Sequence, residues 1–129
     1  MCLLIDKKAK KKKTTSEMVV YKLLRMNREG SIVTPFTRKT VINKKLYRSR
    51  LRRATDGQTI DLGLHSFKLR RDAMQYALAM GYVNTTDYYL ARCTIPKGSS
   101  YYEGKFSGFP ALASTKLKYN KITRIKRRK

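Results

Sequence analysis

The residue types that carry most catalysis and metal binding are scarce in this chain of 129 residues, which has two cysteines, one histidine, no tryptophan and eight Asp and Glu. A structural zinc site takes four Cys or His ligands, and a disulfide framework needs several paired cysteines. Acid–base catalysis by paired carboxylates needs acids close together, and the acids here are scattered. We therefore expect free, reduced thiols, no metal, no cofactor and no enzymatic activity.

Long hydrophobic runs are also absent. The apolar runs, such as residues 18–21, are far shorter than the ~18 residues that a transmembrane helix requires. Residues 1–5 are apolar, but they are few, precede a lysine run and have no small-residue cleavage site, so they do not form a secretory signal. The sequence therefore predicts a protein with no membrane partner, located inside a cell or inside an assembly made there.

Positive charge is in large excess, since 31 Lys and Arg are set against eight Asp and Glu and give a formal net charge of +23. Repulsion on this scale destabilises a compact isolated protein, so a polyanion or an acidic protein surface is the expected partner. Hydrophobic residues nevertheless make up 41% of the chain, which is too apolar for a wholly disordered basic tail. The composition predicts one small folded domain with basic extensions.

Most of this charge lies in three basic blocks. Residues 1–17 hold six Lys and two acids, residues 44–53 hold six basic residues and no acid, and residues 116–129 hold eight basic residues and no acid, so the blocks carry +18 of the +23. Lys and Arg bind phosphate by charge-assisted hydrogen bonds and counterion release, which makes these blocks the predicted site for a polyanion or an acidic partner. Its residues are Lys7, Lys8, Lys10, Lys11, Lys12, Lys13, Lys44, Lys45, Arg48, Arg50, Arg52, Arg53, Lys116, Lys118, Lys121, Arg124, Lys126, Arg127, Arg128 and Lys129.

The sequence predicts an α+β fold, with a small, mostly antiparallel sheet, one principal helix at about residues 68–80 and basic terminal arms. A lysine run without apolar periodicity cannot bury enough surface to order itself, so residues 1–17 are expected to form a basic arm. Residues 18–125 then form a single α+β domain with a basic loop inserted at residues 43–57, and residues 126–129 form a basic C-terminal tail.

The helix is predicted because apolar residues recur on one helical face and Gly81 supplies a C-terminal stop. His65 precedes this helix, and the hydroxyl of Ser66, adjacent to it in a strand, is expected to point to the opposite face. A catalytic Ser–His pair is therefore poorly supported, and we expect a structural, hydrogen-bonded role for His65. The predicted apolar face of the helix consists of Leu69, Ala73, Tyr76, Ala77 and Met80.

Strands are predicted where apolar residues alternate or cluster between turn signals. The predicted strands are residues 18–24, 31–36, 41–42, 62–67, 87–95 and 116–125, the last of them bulged. Alternation in the fifth strand places four side chains on one side, namely Tyr89, Ala91, Cys93 and Ile95. Residues 101–113 mix glycine and proline with aromatic residues and are expected to form an ordered loop that packs by its own side chains.

Five short motifs occur in order along the chain. They are LGLHSF at residues 62–67, paired alanines in the helix, IPKGS at residues 95–99, YYEG at residues 101–104 and ASTKLK at residues 113–118. With these motifs the chain resembles a small basic protein that recurs in crAss-like bacteriophages and in prophages of Bacteroidetes. The resemblance extends over residues 18–125 and implies a phage origin, and the lysine-rich arm and the second basic block look like additions to that domain.

A more distant similarity is to ADP-ribosyltransferase-like domains, which have a similar order of a leading strand, a His-Ser-Phe-like strand, a helix with paired alanines and an apolar strand. In such enzymes an Arg or His, a Ser or Tyr and a late Glu hold NAD. The resemblance implies His65, Tyr76 and Glu103 as the nearest counterparts here. Because no other feature of the sequence forms a nicotinamide pocket, an enzyme of this class is the remote alternative.

A small, basic, phage-encoded chain without catalytic machinery is expected to be a virion structural protein. The main hypothesis is an auxiliary or stabilising capsid protein, assembled in the host cytoplasm, which docks by its folded domain. Its basic arms would fasten to the major capsid protein or to other acidic virion subunits. The alternative hypothesis is a nucleic-acid-binding protein, ribosome-like or genome-packaging, whose partner is packaged DNA or RNA.

Overall fold

The computed structural model describes residues 3–26, 29, 31–34, 41, 44–79 and 88–125. Within these ranges the chain forms one helix and twelve strands. They are β1 (Leu3–Leu4), β2 (Lys12–Lys13), β3 (Met18–Met26), β4 (Ile32–Val33), β5 (Leu46–Arg48), β6 (Arg52–Arg53), β7 (Thr59–Leu62), β8 (Leu64–Phe67), α1 (Arg70–Ala79), β9 (Tyr88–Ile95), β10 (Ser100–Phe106), β11 (Phe109–Ser114) and β12 (Lys116–Ile125).

The strands form one antiparallel sheet in the order β5-β12-β9-β3-β8-β11-β10-β1-β7-β6, with β2 paired to β10 and β4 paired to β3. The expected combination of a helix with a mostly antiparallel sheet is present. Strands account for 57% of the structure, however, so the fold is richer in strand than the sequence patterns indicated.

Two extended stretches bend in the middle and so belong to two parts of the sheet. One bends at Gly63, between β7 and β8, and the other at Thr115, between β11 and β12. The order of paired strands from β12 through β9, β3 and β8 therefore leads back to β11, which belongs to the same extended stretch as β12. The sheet is thus curled around a core. Its terminal strands β5 and β6 are joined by only residues 49–51.

Side chains on the inner faces of the curled sheet form two clusters. The first core cluster lies within the circuit of β12, β9, β3, β8 and β11 and consists of Val20, Leu24, Val41, Tyr89, Ala91, Cys93, Ile95, Leu112, Leu117 and Tyr119. The second core cluster lies beside β1, β7 and β11 and consists of Leu3, Ile5, Ile60, Ala111 and Ala113. Burial of these apolar side chains is the main force that holds the strands together.

Helix α1 covers part of the outer surface of β3 and β9. The predicted helix is confirmed, and so are three members of its apolar face, because Ala73, Tyr76 and Ala77 are buried against the sheet. Leu69 is exposed instead, since it precedes the first turn, and Met80 lies outside the described residues.

The long strands agree with the sequence patterns. Strands β3, β9 and β12 occupy the segments predicted for them, and the expected bulge in β12 is present. The predicted inner side of β9 is also correct, because its four residues all belong to the first core cluster. In the predicted second strand only Ile32–Val33 is strand, and residues 35–40 and 42 lie outside the described ranges.

The loop expected at residues 101–113 is wrong, because this segment forms the β10–β11 hairpin. Ser107 and Gly108 make its two-residue turn with φ values of 50° and 83°, the backbone that matches the twist of paired strands. Gly104 and Pro110 obscured the strand pattern, since both residue types are depleted in strands.

Two segments predicted as an arm and a loop are paired with the sheet. Residues 3–14, inside the predicted N-terminal arm, contribute β1 and β2 and bury Leu3 and Ile5. The predicted loop at residues 43–57 contains β5 and β6, which pair with β12 and β7. Apolar residues next to the lysines bury enough surface to order these segments, which the prediction from charge alone did not take into account. The boundaries between arm, domain and tail stay predictions.

Candidate polyanion-binding surface

Five cations share the outward face of strands β5, β12 and β9. Side chains alternate along each strand, and the inward-pointing ones, such as Leu117, Tyr119 and Cys93, are buried in the first core cluster. The outward-pointing cations are exposed or half-exposed. We name this surface the cationic face, and it consists of Arg48, Arg92, Lys116, Lys118 and Lys121.

A bulge in β12 places the lysines of this face. The register against β9 shifts between Tyr119 and Lys121, so two residues of β12 lie opposite one residue of β9. Without the extra residue, Lys121 would share the orientation of Tyr119 and point into the core. Instead Lys121 lies directly opposite Arg92, and Lys116 lies opposite Arg48. Like charges in opposed positions destabilise a sheet, and a bound anion would relieve that repulsion.

The ion pairs within the described part of the chain lie away from the cationic face. They are Lys12–Glu103 at 3.7 Å, Lys68–Glu103 at 2.7 Å, Arg52–Asp61 at 2.9 Å and Arg71–Asp72 at 4.0 Å. Because none of these pairs includes a residue of the cationic face, no described carboxylate forms an ion pair with its cations. The positive potential of this surface is therefore available to a ligand.

Backbone hydrogen bonds bring the three basic blocks together around Thr115. Its carbonyl accepts from the N–H of Ser49, in the second block, at 2.9 Å, and its own N–H donates to the carbonyl of Ser100 at 3.0 Å. Ser100 lies opposite Lys13 of the first block, and Lys116 of the third block follows Thr115 directly. Cations that are far apart in the sequence are thus neighbours at one corner of the sheet.

Two of the predicted site residues bind carboxylates of the same chain. Arg52 donates to both carboxylate oxygens of Asp61, with Nε–Oδ1 at 3.0 Å and Nη2–Oδ2 at 2.9 Å. These hydrogen bonds hold the pKa of Asp61 below its usual value. Lys12 approaches Glu103, whose pKa is lowered chiefly by its hydrogen bond from Lys68. Arg52 and Lys12 are therefore partly committed to the fold.

Arg53 fastens the N-terminal segment to the sheet. Its guanidinium donates to the backbone carbonyls of Lys7, at 3.3 Å, and of Ala9, and it stands 5.2 Å from the centroid of the Tyr102 ring. This half-buried arginine therefore has a structural role in the described chain, and its part in the predicted binding site stays a prediction.

The other predicted cations are distributed over the surface. Lys45 stands 5.3 Å from the centroid of the Tyr47 ring, next to the cationic face. Besides Lys12 and Arg52, the exposed residues of the predicted site that lie outside the cationic face are Lys7, Lys8, Lys10, Lys11, Lys13, Lys44, Lys45, Arg50 and Arg124. Lys126, Arg127, Arg128 and Lys129 lie outside the described residues.

Arg92 is a member of the cationic face that the sequence analysis did not assign to the site. It was passed over because it lies in an apolar strand and outside the three charge blocks. The signal was nevertheless present, since Arg92 interrupts the apolar alternation on the side opposite Ala91 and Cys93. A single cation on the outer side of a buried strand is as informative here as a run of lysines.

Lys22 is the second residue that the sequence analysis missed. It lies on the inner side of β3 between the buried Val20 and Leu24, and its Nζ donates to the carbonyl of His65 at 2.7 Å. Burial lowers the pKa of Lys22 to about 8, and burial raises the pKa of the nearby Cys93 thiol to about 12. The sequence signal for Lys22 was its inward position in the alternating pattern of β3.

The three residues implied by the distant enzyme similarity are not presented together to solvent. His65 is only 7% exposed, and its Nδ1 lies 3.0 Å from the carbonyl oxygen of Gly63. Tyr76 is buried against Phe67, whereas Glu103 is on the surface with two lysines. Each residue is engaged in packing or in hydrogen bonds of the fold, which for His65 is the structural role expected from the sequence.

No family model, curated protein or solved structure matches this chain. In the part of the chain that the structure describes, no three His, Cys, Asp or Glu side chains are grouped as a metal site would require. The described helix is also too short and too polar to cross a membrane.

Proposed function

We propose that the protein binds nucleic acid through the cationic face and the basic corner around Thr115. The observation that supports this proposal is the set of five outward cations, two pairs of which lie directly opposite each other, with no described carboxylate as a partner. A phosphate backbone would supply the missing negative charge and release its condensed counterions on binding. Arginine adds bidentate contacts to phosphate oxygens.

The setting of this activity follows from the sequence motifs. In the proposal the chain is a small α+β virion protein of a crAss-like phage or prophage, and its basic terminal segments contact the same nucleic acid as the cationic face. Packaged DNA or RNA is then the partner, and binding rather than catalysis is the function. The corner at Thr115 supports this arrangement, since it joins cations from all three basic blocks.

Binding is tested by fluorescence anisotropy with a labelled DNA duplex over a series of salt concentrations. If the five cations of the cationic face, Lys13 and Arg50 contact phosphates, the log–log slope of affinity against salt should be about −6. The double variant Lys118→Ser with Lys121→Ser should make this slope less steep by about 2, because two phosphate contacts are lost. The matched control, Arg70→Ser with Lys105→Ser, removes the same charge elsewhere and should leave the slope unchanged.

Absence of binding at 20 mM salt would contradict this proposal. Equal effects of the two double variants would contradict it too, because net charge rather than the cationic face would then determine the affinity. Polyglutamate serves as the acidic protein probe in the same assay. If it binds with higher affinity than DNA and is sensitive to the Lys118 and Lys121 substitutions, the ligand is an acidic protein surface instead.

A role as an auxiliary capsid protein is the second candidate function. It is favoured by the segment between β1 and β2, where four exposed lysines, Lys7, Lys8, Lys10 and Lys11, follow Leu4, whose side chain is 59% exposed. Protein interfaces combine apolar contacts with charge complementarity of this kind. Mass spectrometry of purified virions tests it, with the chain expected in stoichiometric amounts in emptied capsids. Its loss together with the genome would assign it to the nucleic acid instead.

A further inference from the structure

Uncharged side chains lie in the same cross-strand rows as the cations. Two neighbouring rows over β5, β12, β9 and β3 are Leu46–Lys118–Thr94–Val19 and Lys121–Arg92–Tyr21. Val19 is 43% exposed, Leu46 is 36% exposed and Tyr21 is half-buried. The cationic face therefore alternates charge with apolar and aromatic surface.

Helix α1 leaves this part of the sheet uncovered. It packs over Leu23, Tyr88 and Leu90, at one end of the outward surface of β3 and β9. Tyr21 lies at the edge of the surface that the helix covers. It packs against the cluster that the helix forms with these side chains, and it lies opposite Arg92 on β9. Packing on one side limits the rotation of the ring, so it meets a ligand in a fixed orientation at low entropic cost.

A nucleic-acid duplex and a single strand make different use of such a surface. The duplex stacks its bases inside and offers mainly phosphates to the protein, so the exposed Val19 and Leu46 and the half-buried Tyr21 would lose little contact with water. A single strand offers phosphates and unstacked bases together, and bases stack on aromatic side chains and pack on apolar ones. Only the single strand satisfies both components of the face.

We infer that the cationic face is a single-strand binding platform, on which phosphates contact the cations and a base stacks on Tyr21. This inference rests on the proposed nucleic-acid binding and specifies its ligand class. The platform spans four strands, which lie about 4.8 Å apart, and therefore extends over only a few nucleotides. The preference for a single strand over a duplex comes from base stacking. Because every base has a π face, no preference among the four bases is expected.

The test compares two labelled probes at 100 mM salt, oligodeoxythymidine of twelve nucleotides and a DNA hairpin duplex with the same number of phosphates. The single strand is expected to bind at least about tenfold more tightly. Tyr21→Leu keeps apolar packing but removes the ring, and it should weaken single-strand binding on the order of tenfold with little effect on the duplex. Phe109→Leu, an aromatic substitution outside the face, should change neither affinity.

If Tyr21→Leu fails to fold by circular dichroism, the exposed double variant Val19→Ser with Leu46→Ser replaces it, with the same expectation. Equal affinity for both probes, or equal loss of both affinities in the variant, would overturn the single-strand inference while nucleic-acid binding stands. Failure of both probes to bind would overturn the proposed function itself. The two failures are thus distinguishable in one experiment.

Discussion

His65 is a basic residue that burial keeps neutral. Its Nδ1 lies 3.0 Å from the carbonyl oxygen of Gly63 and its Nε2 lies 3.4 Å from the carbonyl oxygen of Ile60. Burial, and then the nearby charge of Lys22, lower the pKa of His65 to about 4. A neutral imidazole can donate to only one carbonyl, and the shorter distance indicates that Nδ1 carries the proton.

We predict that acidification destabilises the protein through His65. The folded pKa of about 4 lies below the unfolded value of 6.5, so the unfolded chain binds the proton first and stability is lost as the pH falls from 6.5 towards 4. Between pH 7 and pH 5 the loss should be about 2 kcal/mol. Urea unfolding of the wild type and of His65→Gln at both pH values measures it, with the variant losing correspondingly less. Equal losses would show that folding does not depend on this imidazole.

At the residue scale, the sequence predicted which side chains of β9 point inward because the polar Arg92 and Thr94 both fall on the opposite side of the strand. It missed Lys22 and Arg92 because each is a single cation in an apolar strand. Alternation alone distinguishes the inward Lys22 from the outward Arg92. Their functional meaning depends on neighbours from β8 and β12, and no local pattern encodes those pairings.

At the scale of elements, strand β1 packs directly against the backbone of Gly104, which has no side chain. A Cβ added at Gly104 would lie 2.1 Å from the carbonyl oxygen of Leu4, a contact that the backbone of β1 cannot accept without moving. The N–H of Ile5 donates to the carbonyl of Gln58 at 2.8 Å, which fixes β1 on its other side. Gly104 thus sets how closely the N-terminal segment approaches the hairpin.

We predict that Gly104→Ala displaces β1 and destabilises the protein by about 2 kcal/mol, the cost of overpacking at a tight contact. Hydrogen exchange of the Leu4 and Ile5 amides should quicken, and thermal unfolding should give the change in stability. Gly57→Asn is the control, because Gly57 has open space around it and Asn tolerates its positive φ of 72°. A stable Gly104→Ala protein with unchanged exchange would disprove the contact.

A second prediction for this segment concerns Arg53. Arg53→Met removes the hydrogen bonds to the carbonyls of Lys7 and Ala9, so residues 7–13 should open more often. Cleavage by a lysine-specific protease should be faster on the order of tenfold. Arg52→Met removes the same charge from the neighbouring position, where the partner is Asp61, and its cleavage rate should equal that of the wild type. A similar increase in both variants would show that charge, rather than anchoring, protects the segment.

Elements with strong local patterns were predictable from the sequence, and those formed by distant pairing were not. The helix and strands β3, β9 and β12 each carry a clear period. The β10–β11 hairpin does not, since Gly104 serves a close contact and Pro110 breaks the alternation. Strands β1, β2, β5 and β6 are two or three residues long and exist because a partner strand is present. The cationic face depends on several of these pairings, so only its residue types were predictable.

At the scale of the whole molecule, a net charge of +23 remains after all eight acids are counted, and four ion pairs lie within the described ranges. Repulsion among the remaining cations therefore opposes folding and is screened by salt. We predict that raising NaCl from 20 to 300 mM increases Tm on the order of 5 °C, which corresponds to about 1 kcal/mol. Differential scanning fluorimetry measures this change, and a Tm that falls with salt would show that attractive pairs dominate instead.

The connection of residues 49–51 between β5 and β6 has a consequence for self-association. These terminal strands of the sheet are short and carry Arg48, Arg52 and Arg53. Short, charged edge strands resist the addition of a strand from another copy. Under the proposed function, copies of the protein gathered along a nucleic acid would meet at high local concentration. The short, charged terminal strands would then protect such an array against fibrillar aggregation.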